Sequence, residues 1–439
     1  MLRPILAAAD SLLPIFMPFE DHLGKHMGEM EAFYAKLLQL PSPWEVTKVR
    51  LDASGCRVDI WLREARGNRF ACPDCRELSP VYDHAEESVW RHLDTCQCRT
   101  YLHARLPRVR CVEHGVRQIA SPWASTGSSL TMACESRVID TLKECDITGA
   151  GRLTGLGWDR MWRVLELAVA RGQARKKWRV PRRLAVDEKS FRKRHDYETL
   201  VCDAERGTVE FVADHRREGS LAAYFVQFSP EELAEVRSVS MDMWEPYIKA
   251  TTTYVPTAER KIVFDRFHIV RYVTGAVDRV RRNEHRQLTA QNDERLKGTK
   301  HLWLANLDNV PERRRAEFEV LRKSKLRTGR AWAVKEAFRE FWNCASRSDA
   351  ETFFENWFQW VMRTKLQPMI SAAKTIKTHL ANILTYFTHR VTNATAEGLN
   401  SKIQMVKEMA CGFRNREHFK TAIYFHCGGL DLYPRPANS

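Results

Sequence analysis

The chain has 439 residues, 44% of them hydrophobic, which is enough to build several globular domains with cores of their own. Lysine and arginine number 70 against 55 aspartates and glutamates, so the net charge at pH 7 is +15. This basic balance favours a polyanionic partner over an enzyme for acidic substrates or a neutral scaffold. No apolar stretch approaches the roughly 20 residues that a membrane span needs, so no membrane partner is expected.

Residues 1–44 are expected to form an N-terminal arm without a clearly specified structure. The segment 2–19 is apolar enough to raise the question of a signal peptide, but Asp10 and three prolines interrupt it. No small-residue cleavage site follows it. Without an export signal, the twelve cysteines are interpreted as reduced thiols and metal ligands rather than as disulfides.

Residues 45–122 contain two pairs of metal-ligand residues, each pair with two residues between its members. The four side chains are Cys72, Cys75, Cys111 and His114. Four sulfur or nitrogen ligands suit tetrahedral Zn²⁺, so the sequence predicts a DNA-binding zinc ribbon with one structural zinc ion. The alternative is that some of these cysteines only fill core positions. Cys96 and Cys98 compete for a ligand position, but they lack the spacing of the other two pairs.

Residues 123–180 are expected to form a helix-turn-helix motif followed by a basic linker. Apolar periodicity predicts helices over 136–145, 148–153 and 158–170, with a glycine-containing turn at 154–157. Arg160 and Arg163 then lie on the polar side of the third helix, as groove-reading residues would. The basic linker extends over 171–183 and offers four candidate phosphate contacts, namely Lys176, Lys177, Arg182 and Arg183. The alternatives are an ordinary helical hairpin and a solvated run of charge.

Residues 181–272 have the pattern of the first part of a ribonuclease H-like core. Asp187 follows the apolar run 184–186, and Asp242 follows the run 236–241, so both carboxylates are expected at strand ends. The other predicted elements are strands over 197–203, 208–213 and 261–264 and helices over 221–228 and 245–254. In a ribonuclease H-like order the first and fourth strands are neighbours, which would bring the two aspartates together.

A third carboxylate, Glu397, lies in the segment 389–439, which is expected to supply the last core helices and the tail. Thr392 or Asn393 is expected to cap its helix. The stretch 273–388 is longer than this fold requires, and its aromatic residues at helical spacing predict an α-helical insertion with its own core. The outer face of that insertion is basic. Its candidate phosphate contacts are Arg313, Arg314 and Arg315, for each of which a solvated face is the alternative.

Three carboxylates from two strands and a helix can hold a pair of Mg²⁺ or Mn²⁺ ions. Such ions activate a nucleophile and stabilise the leaving oxygen at a phosphodiester. An isolated aspartate at a strand end is more often merely solvated, so the order of the elements is what favours the catalytic interpretation. The sequence therefore predicts chemistry on nucleic-acid strands.

Four short motifs are specific in combination. They are Ala185-Val186-Asp187-Glu188-Lys189-Ser190-Phe191, Ser240-Met241-Asp242-Met243, Phe264-Asp265-Arg266-Phe267-His268 and Ala396-Glu397-Gly398-Leu399-Asn400-Ser401-Lys402. Together, over about 46–430, the chain resembles the DDE transposases of bacterial insertion sequences, specifically the ISL-three group. The segment 408–413 departs from this group, whose members carry a more basic lead into Gly-Phe.

The resemblance implies that Asp187, Asp242 and Glu397 are the catalytic triad. It also implies that Asp265 and His268 support the active site, with His268 orienting it rather than binding Mg²⁺, which prefers oxygen ligands. Lys402, in the last motif, is a further candidate DNA contact.

The implied function is a transposase that binds the terminal inverted repeats of an insertion sequence, cleaves there and transfers the freed 3′ hydroxyl to target DNA. A homodimer is expected because the element has two equivalent ends. A location in the bacterial cytoplasm, associated with the nucleoid, is expected as well. The alternatives are a domesticated, non-catalytic DNA-binding regulator and a structure-specific nuclease of the same fold.

Overall fold

A computed structural model of the protein describes residues 27–192, 196–391 and 394–435. The chain divides into two compact units, one formed by residues 1–164 and 432–439 and the other by residues 165–431. Much of the expected N-terminal arm and both expected helix caps, Thr392 and Asn393, lie outside the described residues. No helix in the described part of the chain is long and apolar enough to cross a membrane.

The first unit begins with one helix, continues with six strands and ends with helices. Its elements are α1 (Met27–Leu38), β1 (Trp44–Asp52), β2 (Arg57–Glu64), β3 (Arg69–Ala71), β4 (Leu78–Arg91), β5 (Arg99–Cys111), β6 (Gly115–Gln118), α2 (Met132–Glu144), α3 (Ile147–Thr154) and α4 (Trp158–Arg175), whose second half belongs to the other unit.

The six strands form one sheet with the order β1-β2-β5-β4-β3, and β6 pairs with β5. Strands β2 and β5 are parallel, and the remaining pairs are antiparallel. Alternate residues of these strands, such as Val58, Ile60 and Leu102, are buried in one core. Tyr34 of α1 joins that core, so the second half of the expected arm contains an ordered helix packed on the sheet.

The three helices after the sheet match the expected pattern, with shifted ends. Helix α2 begins four residues earlier than predicted because Thr131 caps it by accepting a hydrogen bond from the Cys134 N–H. Asp146 caps α3 in the same way, and α3 ends at Gly155, whose positive φ of 67° provides the left-handed C-cap. The turn to α4 is therefore short, as the sequence predicted.

The second unit contains a five-stranded sheet and the remaining helices. Its elements are β7 (Arg183–Arg192), β8 (Asp196–Asp203), β9 (Thr208–Asp214), α5 (Glu218–Phe225), α6 (Pro230–Ala234), β10 (Ser238–Met241), α7 (Glu245–Tyr254), α8 (Ala258–Lys261), β11 (Ile262–Phe264), α9 (Arg266–Thr289), α10 (Lys300–Leu304), α11 (Glu312–Lys323), α12 (Arg327–Phe338), α13 (Arg347–Arg363), α14 (Gln367–Thr378), α15 (Leu380–Leu384), α16 (Tyr386–His389), α17 (Ala394–Met409) and α18 (Arg416–Cys427). Two 3₁₀ turns, Leu307–Asn309 and Arg339–Asn343, lie among the insertion helices.

The second sheet has the strand order β11-β10-β7-β8-β9. Strands β7, β10 and β11 are mutually parallel, whereas β8 and β9 are antiparallel to their neighbours. The expected neighbourhood of the first and fourth strands is confirmed, because β7 pairs with β10. The prediction that Asp187 ends its strand is wrong. Strand β7 runs on to Arg192, because Asp187 and the residues after it continue to pair with β8.

The stretch between β11 and α17 is helical, as expected. Helix α9 begins directly after its N-cap residue, Asp265, and extends for 24 residues into this helical region. Most of the aromatic residues predicted to form its core are buried, for example Trp303, Phe338 and Phe354, whereas Trp360 is exposed. These helices therefore bury an apolar core that is continuous with that of the sheet.

Candidate metal centres

A cluster of acidic groups lies where two adjacent parallel strands end. Asp242 directly follows β10 and Asp265 directly follows β11, and the Asp265 N–H donates to the Met241 carbonyl at 2.9 Å. Asp265 is also the N-cap of α9, because its Oδ1 accepts from the Phe267 N–H at 3.0 Å. The first turn of α9 then carries His268 back to both carboxylates.

His268 joins the two carboxylates into a compact group. Its Nδ1 lies 2.9 Å from Asp242 Oδ2, and its Nε2 lies 3.8 Å from Asp265 Oδ2. Each of the three side chains offers one ligand atom, and these atoms all lie within 4.8 Å of one another. The hydrogen bond to Asp242 raises the pKa of His268, with Asp265 adding to the rise. Asp265 was expected only to support the site, but it is one of the three residues whose ligand atoms converge.

Asp187 lies beside this group on β7, the central strand of the sheet and the parallel neighbour of β10. Its Oδ1 accepts from the Glu188 N–H at 2.7 Å, and its Oδ2 accepts from Asn400 Nδ2 of α17. Burial raises the pKa of Asp187 to about 6, and the negative charge of Asp242 contributes to the rise.

Glu188, next in the chain, is a further acidic group that sequence reasoning did not single out. Burial raises its pKa to about 7, although Arg216 Nη1 lies 2.9 Å from its Oε1 and opposes that rise.

Glu397 is exposed on α17, one helical turn before Asn400. It is not among the residues whose ligand atoms converge in the described part of the chain. Glu397 and Asp265 do line one cleft of about 780 Å³. Burial raises the pKa of Asp265, and the charges of Asp242 and Glu397 add to the rise. The structure therefore brings Asp242, Asp265 and His268 together and places Asp187 and Glu397 around them.

The donor set fits a hard divalent cation. Among the described residues, Asp242 Oδ1, Asp265 Oδ2 and Asn400 Oδ1 are buried without a hydrogen-bond partner. A buried carboxylate oxygen without a partner is costly unless a cation compensates it. Mg²⁺ and Mn²⁺ prefer such oxygen ligands, whereas the imidazole of His268 suits an orienting contact to Asp242.

The second candidate centre is in the first unit and contains the four predicted zinc ligands. Cys72 and Cys75 lie in the turn between β3 and β4, and Cys111 and His114 lie at the turn from β5 to β6. Their ligand atoms all lie within 4.8 Å of one another.

The distances within this group suit tetrahedral zinc. The sulfurs of Cys75 and Cys111 are 3.5 Å apart, and Cys111 Sγ is 3.6 Å from His114 Nδ1. A tetrahedral Zn²⁺ with bonds of 2.0–2.3 Å has ligand separations of about 3.3–3.8 Å. Hydrogen bonds from the backbone and side chain of His114 lower the pKa of Cys111 to about 6, which favours the thiolate that zinc needs. Cys96 and Cys98 are not part of the converging group among the described residues.

The candidate DNA-contact residues differ in exposure and in whether an acidic side chain already pairs with them. Arg160, Arg163, Lys177, Arg182, Arg313 and Lys402 are exposed. Lys176 is largely buried in an ion pair with Glu210 at 2.7 Å, and Arg183 lies 3.5 Å from Glu205. Arg314 and Arg315 pair with Glu317 and Glu312 of their own helix. Much of the positive charge expected at these last four positions is thus already compensated.

Comparison with known proteins agrees with this arrangement. A family model described as a transposase, that of the ISL-three (ISL3) group of DDE transposases, matches residues 184–423, and one described as the zinc-finger of transposase IS204/IS1001/IS1096/IS1165 matches residues 68–114. The chain is 26% identical over 390 residues to the transposase for insertion sequence element IS1557 of Mycobacterium tuberculosis, covering 82% of this chain and 86% of the relative. It is 25% identical over 334 residues to the transposase for IS1001 of Bordetella parapertussis, covering 75% and 82%. With the transposase model matching more than half of its length, the chain belongs to the ISL3 family of transposases.

Proposed function

We propose that the protein binds the terminal inverted repeats of an insertion sequence, cleaves DNA at the element ends and joins the freed 3′ hydroxyl to target DNA. The observation that carries this proposal is the group of buried, unpartnered carboxylate oxygens of Asp242 and Asp265 beside Asp187. Membership of the transposase family supports the class of reaction. The strand order β11-β10-β7-β8-β9 supports a ribonuclease H-like core.

Asp187, Asp242 and Glu397 are the proposed catalytic carboxylates, with Asp265 beside them. Two Mg²⁺ or Mn²⁺ ions held there would supply an activated water and stabilise the leaving oxygen. Neutral and basic neighbours orient the carboxylates. Asn400 Nδ2 donates to one oxygen of Asp187, and His268 lies against one oxygen of Asp242, which leaves Asp242 Oδ1 free for the metal.

The cleft beside these groups suits a DNA strand. Its walls contain Asp265 and Glu397 together with Arg266, Arg271 and Arg339. Guanidinium groups bind phosphate oxygens, so Arg266 and Arg271 can hold the backbone of a strand whose scissile phosphate lies at the carboxylates. Arg339 is already paired with Glu336 and Asp308. Glu397 is then placed on the substrate side of the site rather than in its buried centre.

Recognition of the element ends is assigned to the first unit. The zinc ribbon and helices α3 and α4, interpreted as a helix-turn-helix, would read the DNA, with Arg160 and Arg163 exposed on α4. A homodimer is proposed for the complex with both ends, because two equivalent ends call for two equivalent readers.

The proposal is tested with purified protein, a labelled duplex carrying one element end and a target plasmid in the presence of Mg²⁺. We expect cleavage and a joined product from the wild type. Asp242→Ala should abolish both while leaving end binding within about twofold, because it removes a proposed metal ligand and no reader residue. Glu351→Ala, an exposed carboxylate of α13, is the matched control and should behave like the wild type.

The two alternative functions give different results in this assay. Cleavage without joining would indicate a structure-specific nuclease, and binding without cleavage would indicate a regulator. Wild-type strand transfer by Asp242→Ala would refute the catalytic assignment.

A further inference from the structure

One face of the first unit's sheet is strongly cationic. Six exposed cations lie on three adjacent strands: Lys48 and Arg50 on β1, Arg57 and Arg63 on β2, and Arg99 and Arg105 on β5. The strand register places them on one face, because Lys48 pairs with Trp61 and Trp61 pairs with His103. The opposite face is the buried core. These six residues and the aromatic residues between them are called the cationic sheet face.

Acidic groups compensate part of this charge. Asp59 lies among them but is buried, held by Arg57 at 2.7 Å and by His103 at 2.7 Å. Glu87 of β4 pairs across the strands with Arg105 and lies 3.2 Å from His103. Glu45 and Asp52 of β1 pair in the same way with Arg63 and Arg57. Within the described ranges of the chain, Arg57 alone among the six cations has an ion pair. With six cations against these four carboxylates, the face keeps a net positive charge.

Aromatic rings on this face hold the cations in place. Lys48 Nζ lies 4.9 Å from the centre of the Trp61 ring, which also stacks on His103 at 4.7 Å. The Arg57 guanidinium lies 4.3 Å from the centre of the Tyr101 ring. Rings covered by cations are poor platforms for nucleic-acid bases, which would have to displace those cations before stacking. The chemistry favours phosphates over unpaired bases.

The dimensions of the face suit a duplex backbone. Neighbouring strands are about 4.8 Å apart and alternate residues about 6.6 Å apart, so the six cations cover about 10 Å by 20 Å. Duplex DNA carries one negative charge per roughly 1.7 Å of its axis. At one end of the face, Arg99 reaches the turn between α3 and α4, because a Cβ on Gly155 would lie 3.6 Å from Arg99 Nε.

We propose that the cationic sheet face binds the phosphate backbone of duplex DNA next to the segment that α4 reads. This inference rests on the proposed function, since it takes the element-end duplex as the ligand. It adds a sequence-independent contact on the sheet to the sequence-reading contacts of α4. The face is distinct from the zinc ligands, which lie in the turns at the other end of β5.

The test measures binding of the full-length protein to an element-end duplex, a scrambled duplex and a single strand of the same length across a salt series. Arg63→Ala/Arg105→Ala removes two cations from neighbouring strands. We expect the slope of log affinity against log salt to fall by about 1.8 on both duplexes, so that raising salt from about 50 to 200 mM weakens this variant about 12-fold less than the wild type.

Two further variants serve as controls. Arg63→Lys/Arg105→Lys keeps both charges and should keep the wild-type slope. Lys36→Ala/Arg137→Ala removes two exposed cations from α1 and α2 and should leave the slope unchanged. Four results would each overturn the proposal. The salt slope could be unchanged in Arg63→Ala/Arg105→Ala, or it could fall equally in the lysine variant. The fall in slope could also be confined to the element-end sequence or be larger on single strands. The assay needs only binding, so a failure of cleavage and joining would contradict the proposed function separately.

Discussion

At the carboxylate site, burial and neighbouring side chains set the pKa values and the orientations of individual acidic residues. Burial raises the pKa of Asp187 to about 6 and that of Glu188 to about 7. Asn400 is the neutral side chain that contacts Asp187, and its backbone carbonyl accepts from Lys189 Nζ at 3.0 Å. Asn400 therefore joins α17 to β7 at the acidic group, and we expect it to position Asp187.

Asn400→Ala should raise the Mg²⁺ concentration needed for half-maximal cleavage by about 10–100-fold, because the orientation of Asp187 is lost. DNA affinity without metal should stay at the wild-type level. The measurement is cleavage rate against Mg²⁺ concentration together with binding to the element end.

Ser401→Ala is the matched control for Asn400→Ala, since the Ser401 hydroxyl donates only to the Glu397 carbonyl of its own helix. It should keep the wild-type metal requirement. An equal metal requirement for Asn400→Ala and the wild type would show that Asn400 does not position Asp187.

His92 gives the first unit a pH-dependent stability. Burial lowers its pKa to about 4, helped by the charge of Arg91, and Nδ1 lies 2.9 Å from the Thr131 hydroxyl. Because the folded-state pKa is below the unfolded value of 6.5, only the unfolded chain gains this proton between those pH values. The stabilising contribution is complete above pH 6.5 and decreases as the pH falls towards 4.

We expect His92→Asn to remove this dependence, since the amide can take the place of Nδ1 but does not titrate. After allowance for partial exposure, the contribution is about 2 kcal/mol. Thermal melts should show similar stability for the two proteins near pH 7.5 and a separation in acid, where only the wild type loses this contribution as the pH falls towards 4. Any release of zinc in acid affects both proteins and cancels in the difference, and parallel curves would contradict the assignment.

Among the elements, α4 is constrained by the segment that follows α18. A Cβ on Gly172 would lie 2.7 Å from Leu430 Cβ and 3.4 Å from the Asp431 carbonyl oxygen. The ion pair between Arg175 and Asp431, at 3.3 Å, holds the same segment against the helix. Glycine is needed here for close approach and not for an unusual backbone conformation.

Gly172→Ala should destabilise the second unit by about 1–3 kcal/mol, because the segment must move to admit the methyl group. Gly219→Ala in α5 is the control, since nothing lies within 4 Å of its added Cβ. That change should stabilise by up to about 1 kcal/mol through helix propensity. Calorimetry would measure both, and a Gly172→Ala melting temperature at or above the wild type would contradict the packing argument.

At the scale of the whole molecule, we expect the two units to respond differently to the removal of metal. In the first unit, the four candidate zinc ligands bring together the β3–β4 turn and the β5–β6 turn. The second unit has a large apolar core of its own. Structural zinc contributes directly to folding, so its removal should affect the first unit most.

Elemental analysis should find about one zinc ion per chain, and Cys75→Ser should lose it together with element-end binding. The second unit should still melt near the wild-type temperature, because its core contains no zinc ligand among the described residues. Cys96→Ser is the control and should keep its zinc. Zinc retained in Cys75→Ser and lost in Cys96→Ser would move the ligand site to the competing cysteines.

Sequence periodicity and spacing were sufficient for much of this architecture. Local patterns predicted three features: the paired zinc ligands, the strand that Asp242 follows, and the buried aromatic residues of the helical stretch. For the strand and the helices this works because alternation and helical spacing follow directly from backbone geometry. The neighbourhood of β7 and β10 followed from the order of the elements. The family resemblance supplied the triad, and the structure places its members around one acidic cluster without making all three converge.

Tertiary structure alone decided the rest, since long-range contacts leave no local signal. No spacing indicates that Asn400 contacts Asp187, that Lys176 is neutralised by Glu210, or that Asp265 lies within the converging group. The extension of β7 past Asp187 depends on pairing with β8. The cationic sheet face arises because β2 and β5, separated in sequence by β3 and β4, are parallel neighbours in register, and this pairing gathers charges that are scattered along the chain.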